Sequence, residues 1–280
     1  AEEERQKKGF FGKLYQKSRQ LRMISTIITL YEEAAKRLPE SEVPVIRLAS
    51  VYLGRGMAEE AVDELAPFVK RTSNYEAAVL HLQAVLQLAE EKGSPKLHEK
   101  VVDLARGLHK EQPADAAVLL AWGDALLELG EIDKALEKFD HVLRLQPYNG
   151  EVYIRVLHIL PEHRPEGIEA VAAQMPEELQ FHEWVELARG RRWMMQHEAG
   201  KANGILSSLT EQEPDFLPAF YELARCQMMQ GDKRGALRTL RQLFKKEDGD
   251  DFLELIAEEP LFEPAYEEID ELAEELVGTN

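Results

Sequence analysis

Apolar residues recur along most of this chain at the spacing of amphipathic helices, in pairs separated by short polar turns. The clearest pair lies in residues 116–149, which read AAVLLAWGDALLELGEIDKALEKFDHVLRLQPYN. Two segments with an apolar face meet at Gly130, and the second ends at Pro147. Glycine permits the turn and proline cannot continue a helix, so the pattern predicts two antiparallel helices.

Small residues mark the place where these two predicted helices cross. Gly123 and Ala135 allow the two backbones to approach closely. The large apolar residues Trp122, Leu126 and Phe139 fill the space beside the crossing. We expect a larger side chain at Ala135 to overpack the crossing, at a cost of about 1–3 kcal/mol. One pair cannot bury its apolar face alone, so we expect like pairs to stack on it.

The spacing in this stretch resembles that of a tetratricopeptide repeat, whose pattern is W-x2-L-G-x2-Y, then A-x3-F, then P within 34 residues. Counted from Ala116, the matching residues are Leu119, Trp122, Gly123, Leu126, Ala135, Phe139 and Pro147. Leu119 and Trp122 stand where the family pattern has Trp and Leu.

Steps of about 34 residues extend this resemblance over nearly the whole chain. The units start near residues 8, 42, 76, 116, 150, 183, 217 and 251. The third unit is about six residues longer than the others, and its second helix is predicted to start at Ser94-Pro95. In the fifth unit Pro161 and Pro165 lie close together, so we expect two short helices and a bend near residues 161–165.

The resemblance implies an all-α, right-handed superhelical solenoid of antiparallel helix pairs, with about seven repeats plus a C-terminal capping helix. We expect residues 1–7 to be a linker or disordered, and residues 8–250 to form the tetratricopeptide-like helical array. Residues 251–280 are expected to form an acidic C-terminal capping segment, because a closing helix presents a polar outer face.

Composition limits the classes of function. The chain has 280 residues, of which 44% are apolar and 31% charged, so it can bury a large core. A net charge of -18 argues against nucleic acid as the main partner, because phosphate binding needs a basic surface.

The longest unbroken apolar run, Ala116–Trp122, is far too short to span a bilayer. Since the chain begins at Ala1 rather than Met, a fragment or a processed form, with an anchor or further domain before it, stays an open interpretation.

The two ends of the chain have opposite charge. Residues 5–22 contain seven basic and no acidic residues, whereas residues 247–280 contain fourteen acidic and no basic ones. The basic stretch favours either an anionic membrane surface or a capping repeat with a solvated basic face. The predicted membrane contacts are Lys7, Lys8, Phe10, Phe11 and Lys13. A further interpretation is head-to-tail self-association of the two ends, which salt would weaken.

In the family, the first helix of each repeat lines the inner, concave face of the solenoid. The resemblance therefore places a peptide-binding groove in the C-terminal half, lined by Arg155, His158, Trp184, Arg191, Met194, Tyr221, Arg225 and Met228. Aromatic residues, Met and Arg are enriched at protein interfaces. We interpret the three arginines as a basic ladder for an acidic or C-terminal peptide. The alternative is that the Met and aromatic residues are inter-repeat core and the arginines are solvated or paired with Glu.

Signals of catalysis are missing from the sequence. The eight histidines form no H-E-x-x-H motif, and the single cysteine, Cys226, excludes a C-x-x-C motif and an internal disulfide. Glycine-rich phosphate loops and the G-x-S-x-G elbow are also absent. We therefore expect no enzyme activity, no cofactor and no metal site.

The predicted function is a non-catalytic scaffold or adaptor that binds a segment of a protein partner in the cytoplasm. One alternative is a membrane-associated assembly or trafficking factor, recruited through the basic N-terminus or a removed anchor. Another is the regulatory portion of a larger enzyme.

Overall fold

The computed structural model describes residues 23–38, 41–179 and 182–276, and these residues form helices and turns with no β-strand. The α-helices are α1 (residues 23–37), α2 (Glu42–Leu53), α3 (Ala58–Thr72), α4 (Tyr75–Lys92), α5 (Pro95–Glu111), α6 (Ala116–Glu128), α7 (Ile132–Leu145), α8 (Gly150–His163), α9 (Ile168–Gln174), α10 (His182–Met195), α11 (Ala199–Gln212), α12 (Leu217–Met229), α13 (Lys233–Leu243), α14 (Leu253–Glu258) and α15 (Tyr266–Leu276). Short 3-10 helices cover Pro165–Gly167, Glu177–Leu179, Gly249–Phe252 and Pro260–Ala265. The prediction of an all-α fold is confirmed.

The chain divides into two compact units, Ala1–Leu145 and Gln146–Asn280. In the N-terminal unit α2 packs on α3 and α4, and α4 packs on α5 and α6. In the C-terminal unit α10 packs on α8, α11 and α12. Each first helix therefore touches its own partner and the first helix of the next pair, which is the stacking of a helical repeat array.

Tight turns join the two helices of a pair. Gly130, between α6 and α7, has φ 74°, and Gly231, between α12 and α13, has φ 75°. A left-handed residue of this kind closes a helix C-terminus, and glycine adopts it without a steric penalty. The turn glycines of the sequence pattern thus have the conformation that the pattern requires.

Polar side chains begin several of the first helices. Asp115 accepts hydrogen bonds from the backbone N–H groups of Ala117 and Val118, at 2.9 and 3.2 Å. Asn74 caps α4 by accepting from Ala77 N at 2.7 Å. Such caps satisfy N–H groups that have no partner within the helix, and each contributes about 1 kcal/mol.

The core lies where the helices cross, as the small residues predict. Ala135 and Phe139 on α7 are fully buried against α6. In the C-terminal unit Leu206, Leu223 and Cys226 belong to one buried cluster that joins α11 to α12. The apolar surface of each pair is thus covered by its neighbour, which is why one pair alone would not be stable.

The fifth repeat differs from its expected form. α8 has 14 residues and continues through Pro161, so it is not short, whereas α9 has only seven residues. A proline near the C-terminal end of a helix removes one internal hydrogen bond but does not have to end the helix. The chain leaves α8 at Arg164, next to Pro165. A bend near residues 161–165 stays a prediction.

Candidate functional site

The first helices of the C-terminal unit present one continuous face, made by α8, α10 and α12, which we call the first-helix face. Counted from the unit starts at residues 150, 183 and 217, the ninth place holds His158, Arg191 and Arg225 in turn. Arg191 Nη1 lies 2.9 Å from His158 Nδ1 and also donates to the His158 carbonyl oxygen at 3.1 Å. The face is therefore connected from one repeat to the next by direct contacts.

Arg191 is the centre of this set of contacts. Its Nη2 donates to Glu162 Oε1 at 2.8 Å, and its Nε lies 3.4 Å from Glu222 Oε1. The side chains of Arg191 and Glu222 are only 9% and 8% exposed. A guanidinium removed from water to this extent needs such partners, because an unpaired buried charge is strongly destabilising.

Arg225 continues the same line on α12. Its Nη1 donates to Glu222 Oε2 at 2.7 Å. Its Nε lies 2.7 Å from Glu259 Oε2, but that N–H does not point at the oxygen and makes no hydrogen bond among the described residues. Glu259 also accepts from the backbone N–H of Leu261 at 3.2 Å, which holds the carboxylate in place.

Five side chains thus alternate in charge, four on the face and one just after α14, and we call them the charge ladder. Its members are Glu162, Arg191, Glu222, Arg225 and Glu259. Three carboxylates face two guanidinium groups, so the ladder carries one excess negative charge. Its arginines are paired with Glu, as the alternative interpretation expects, and peptide binding by them stays a prediction.

Burial and charge shift the pKa values of the titratable groups here. Burial lowers the pKa of Arg225, but the carboxylates of Glu222 and Glu259 outweigh burial and raise it above its usual value. The pKa of His158 is lowered by burial of the ring and by the charge of Arg191, against a smaller opposing effect of Glu162. His158 is therefore neutral at pH 7, when its Nδ1 can accept from Arg191.

The aromatic residues of the predicted groove pack against other rings, Trp184 within its repeat and Tyr221 on the next one. Trp184 meets the ring of Phe216 edge-on, with centroids 4.9 Å apart. Tyr221 lies against Phe252 and Phe262, at 5.7 and 6.1 Å between centroids. Both are partly buried, so each leaves some surface on the first-helix face.

The methionines differ more strongly in exposure. Met194 is 4% exposed and belongs to the core, and Met228 packs partly buried against the C-terminal core. Met195, next along α10, is 53% exposed. Arg155 is exposed on α8. The exposed methionine of α10 is therefore Met195 rather than Met194.

Comparisons with known proteins identify similar folds. Residues 194–258 match the family model for the tetratricopeptide repeat. The chain is similar in fold to a tetratricopeptide repeat protein from Parabacteroides merdae ATCC 43184, with a TM-score of 0.58, 13% identity, and coverage of 84% of this chain and 91% of that one. The chain has a tetratricopeptide repeat fold.

A second tetratricopeptide repeat structure gives the same result. The C-terminal part of a repeat-containing protein from Cytophaga hutchinsonii has a TM-score of 0.52 at 13% identity, covering 84% of this chain and 96% of that chain. Among curated proteins, none matches this sequence. At 13% identity these two similarities establish the fold.

The sequence missed the acidic half of the charge ladder in this tetratricopeptide repeat array. Glu222 lies three residues before Arg225, a helical spacing that could have indicated a pair. Glu162 and Glu259 gave no comparable signal, because they reach their arginines only across the stack of repeats.

Other predicted sites have a different outcome. Lys7, Lys8, Phe10, Phe11 and Lys13 lie outside the described residues. Within the described ranges, no group of three or more His, Cys, Asp or Glu side chains is placed to hold a metal ion. In the same part of the chain, every helix is too short or too polar to cross a membrane.

Proposed function

We propose that the chain is a protein-interaction scaffold whose first-helix face in the C-terminal unit binds a segment of a partner polypeptide. The observation that carries this proposal is the contact of Arg191 with His158 and Glu222, which joins three successive first helices into one surface. An extended segment crossing that surface would meet the same place of each repeat in turn.

The side chains on this face suit protein recognition. Met195 is exposed, and Tyr221 and Trp184 are partly exposed beside the charge ladder. Tyr, Trp and Arg dominate the binding energy of many protein interfaces, and Met adapts to irregular partners. The face therefore offers apolar anchors on either side of a charged line.

The charge ladder favours a particular kind of partner. An acidic segment would bring a fourth carboxylate beside the three that already neutralise Arg191 and Arg225. Glu162, whose side chain is 44% exposed, is instead open to a cation. We infer a partner segment with apolar side chains and at least one Lys or Arg, rather than the acidic peptide expected from the sequence.

Peptide selection on the full chain tests this proposal. Displayed random peptides selected on the wild-type chain should be rich in apolar and basic residues. Their affinity, measured by fluorescence polarisation, should fall at least about tenfold in the Met195→Asp variant. The substitution places a carboxylate where the bound peptide would cover the methionine side chain.

Met23→Asp is the matched control for that experiment. Met23 is 56% exposed on α1 in the N-terminal unit, so the same chemical change is made away from the face. Affinity for Met23→Asp should stay within about twofold of the wild-type value. Selection of acidic peptides, or equal loss of affinity in both variants, would contradict the proposal.

A further inference from the structure

A second surface of the C-terminal unit, separate from the first-helix face, is an open cleft of about 490 Å³ between α14 and α15. Its apolar lining consists of Leu253, Ile256, Ala257, Tyr266, Ile269 and Ala273. The hydroxyl of Tyr266 donates to the carbonyl oxygens of Ala257 at 3.0 Å and Glu259 at 3.2 Å. These bonds tie the two walls together, so the cleft is formed before anything binds in it.

Acidic side chains line the α15 edge of this cleft. Asp270 and Glu274 both contribute to its lining and are exposed. Neither has an ion-pair partner among the residues that the structure describes. On the side of α15 turned toward α13, by contrast, Glu268 pairs with Lys233 and Glu275 pairs with Arg241. The cleft thus combines an apolar floor with negative charge that no described cation of this unit balances.

We propose that this cleft binds the basic segment of residues 5–22 from a second copy of the chain. That segment carries seven basic residues and no acidic one, so its charge complements the rim formed by Asp270 and Glu274. It also supplies apolar side chains for the floor of the cleft. These are Phe10, Phe11, Leu14 and Tyr15, in two pairs spaced four residues apart, which is the spacing of one helical face.

The contact joins different surfaces of the two copies. The basic segment precedes the described residues and the cleft lies in the C-terminal unit, so binding between copies requires no particular arrangement of the two units. Because each copy keeps a free cleft and a free basic segment, such a contact adds further copies in a row. The assembly therefore grows with concentration and weakens with salt.

Sedimentation velocity of the full chain tests the proposal. The wild-type chain should associate as its concentration rises, and the association should weaken at least about tenfold between roughly 0.05 M and 0.5 M salt. Asp270→Lys with Glu274→Lys should also weaken it at least about tenfold. Glu267→Lys with Glu271→Lys makes the same change of charge on exposed residues of α15 outside the cleft and should alter association less than about twofold.

A charge exchange separates specific pairing from general repulsion. A variant with Lys13→Gln and Lys17→Gln should associate far more weakly, and so should the variant with reversed charges at the cleft. Mixed together, the first variant supplies an intact cleft and the second an intact basic segment. Further growth is then blocked, so the mixture should form heterodimers, detected by light scattering.

Three results would overturn the proposal. The first is a wild-type chain that stays monomeric in low salt at about 100 μM, a concentration above the Kd that a specific small interface should have. The second is equal weakening by the cleft variant and its control. The third is a full chain that binds anionic vesicles through residues 5–22 without self-associating, which would assign the segment to membranes instead. None of these measurements involves Met195, so a failure here leaves the proposed peptide-binding face untouched.

Discussion

The ring of Phe139 on α7 packs directly against the backbone of Gly123 on α6. A Cβ atom on Gly123 would lie 2.5 Å from the ring carbon Cε1 and 2.8 Å from Cζ. The C-terminal unit repeats this relationship, because a Cβ on Gly190 would lie 2.7 Å from Cδ2 of Leu206. In both repeats a glycine at the eighth place receives the side chain from the twenty-fourth place of the same repeat.

Gly123→Ala should therefore destabilise the N-terminal unit, even though alanine is the better helix former. The added methyl group would force Phe139 or the α6 backbone to move, which costs about 1–3 kcal/mol. Urea unfolding followed by circular dichroism should show a lower midpoint. Gly107→Ala is the control, because nothing lies within 4 Å of a Cβ at this position on α5. Gly107→Ala should raise the free energy of unfolding by about 0.5–1 kcal/mol. If Gly107→Ala instead lowered the free energy of unfolding as much as Gly123→Ala does, the packing argument would be contradicted.

Arg191→Met should be among the most destabilising single changes in the C-terminal unit. It leaves Glu222 without one partner and leaves Glu162 beside an uncharged side chain, and breaking a buried ion pair costs about 3–5 kcal/mol. Arg241→Met is the comparison, since Arg241 and Glu275 are 44% and 56% exposed. Loss of that exposed pair should cost less than about 1 kcal/mol.

A second substitution tests the charge ladder as a unit. Adding Glu222→Gln to Arg191→Met should recover part of the lost stability, because the uncompensated carboxylate is removed and Arg225 keeps Glu259. The double-mutant cycle, measured by denaturant unfolding, should give a coupling free energy of about 1–3 kcal/mol. Strictly additive effects would show that Arg191 and Glu222 do not interact.

Acid should destabilise the N-terminal unit through His81. This side chain is 6% exposed, and burial, followed by the charges of Lys100 and Lys70, lowers its pKa from 6.5 to about 4. Between these two pH values the unfolded chain binds a proton that the folded chain does not, so stability falls as the pH falls through that range. The loss attributable to His81 approaches about 3 kcal/mol at pH 4.

His81→Gln checks this pH dependence. Glutamine cannot titrate, so the free energy of unfolding should depend less on pH between pH 6.5 and 4 than it does in the wild-type chain. Denaturant titrations at intervals of half a pH unit would measure both profiles. Parallel profiles for the two proteins would rule out His81 as the source.

Cys226 should be unreactive in the folded chain. It is fully buried, its thiol donates to the carbonyl oxygen of Ala199 at 3.3 Å, and burial with the nearby Glu222 raises its pKa to about 11. Because the thiolate is the reactive form, Ellman's reagent at pH 8 should react at least about a hundredfold more slowly than in urea. Comparable rates in buffer and in urea would mean that α12 opens readily.

The helix pairs were predictable because residues with a fixed steric role mark them. The repeat pattern places unit starts at 42, 116 and 217, and α2, α6 and α12 begin at Glu42, Ala116 and Leu217. These starts depend on local signals, namely a cap or a proline before an apolar stripe and a glycine at the turn. Short-range steric rules of this kind are visible in a single sequence.

The C-terminal end was harder to predict for a physical reason. One closing helix was expected in residues 251–280, but Pro260 begins a 3-10 helix that separates α14 from α15. The acidic residues around it suggested only a solvated surface. The cleft arises because Tyr266 folds back onto Ala257, a contact that charge and periodicity do not encode.

The candidate site was predictable only in part. The stack brings equal places of successive repeats together, and Arg191 and Arg225, both at the ninth place, pair with the same carboxylate, Glu222. Their partners Glu162 and Glu259 lie 29 and 34 residues away in sequence. Which carboxylate meets which guanidinium depends on how far one repeat is displaced from the next, and sequence spacing does not report that displacement.

The charge ladder also bears on how this protein can change over evolutionary time. Repeat arrays commonly lengthen or shorten by duplication or excision of whole modules, and that exchange is harmless where only apolar surfaces meet. Here Arg191 and Arg225 stand at the same place of adjoining modules and both pair with Glu222, so excision of the module that contains Arg191 would bring Arg225 opposite Glu162. Loss of a whole module can therefore keep an arginine at the new junction, whereas a point substitution of either arginine leaves a carboxylate without one of its partners.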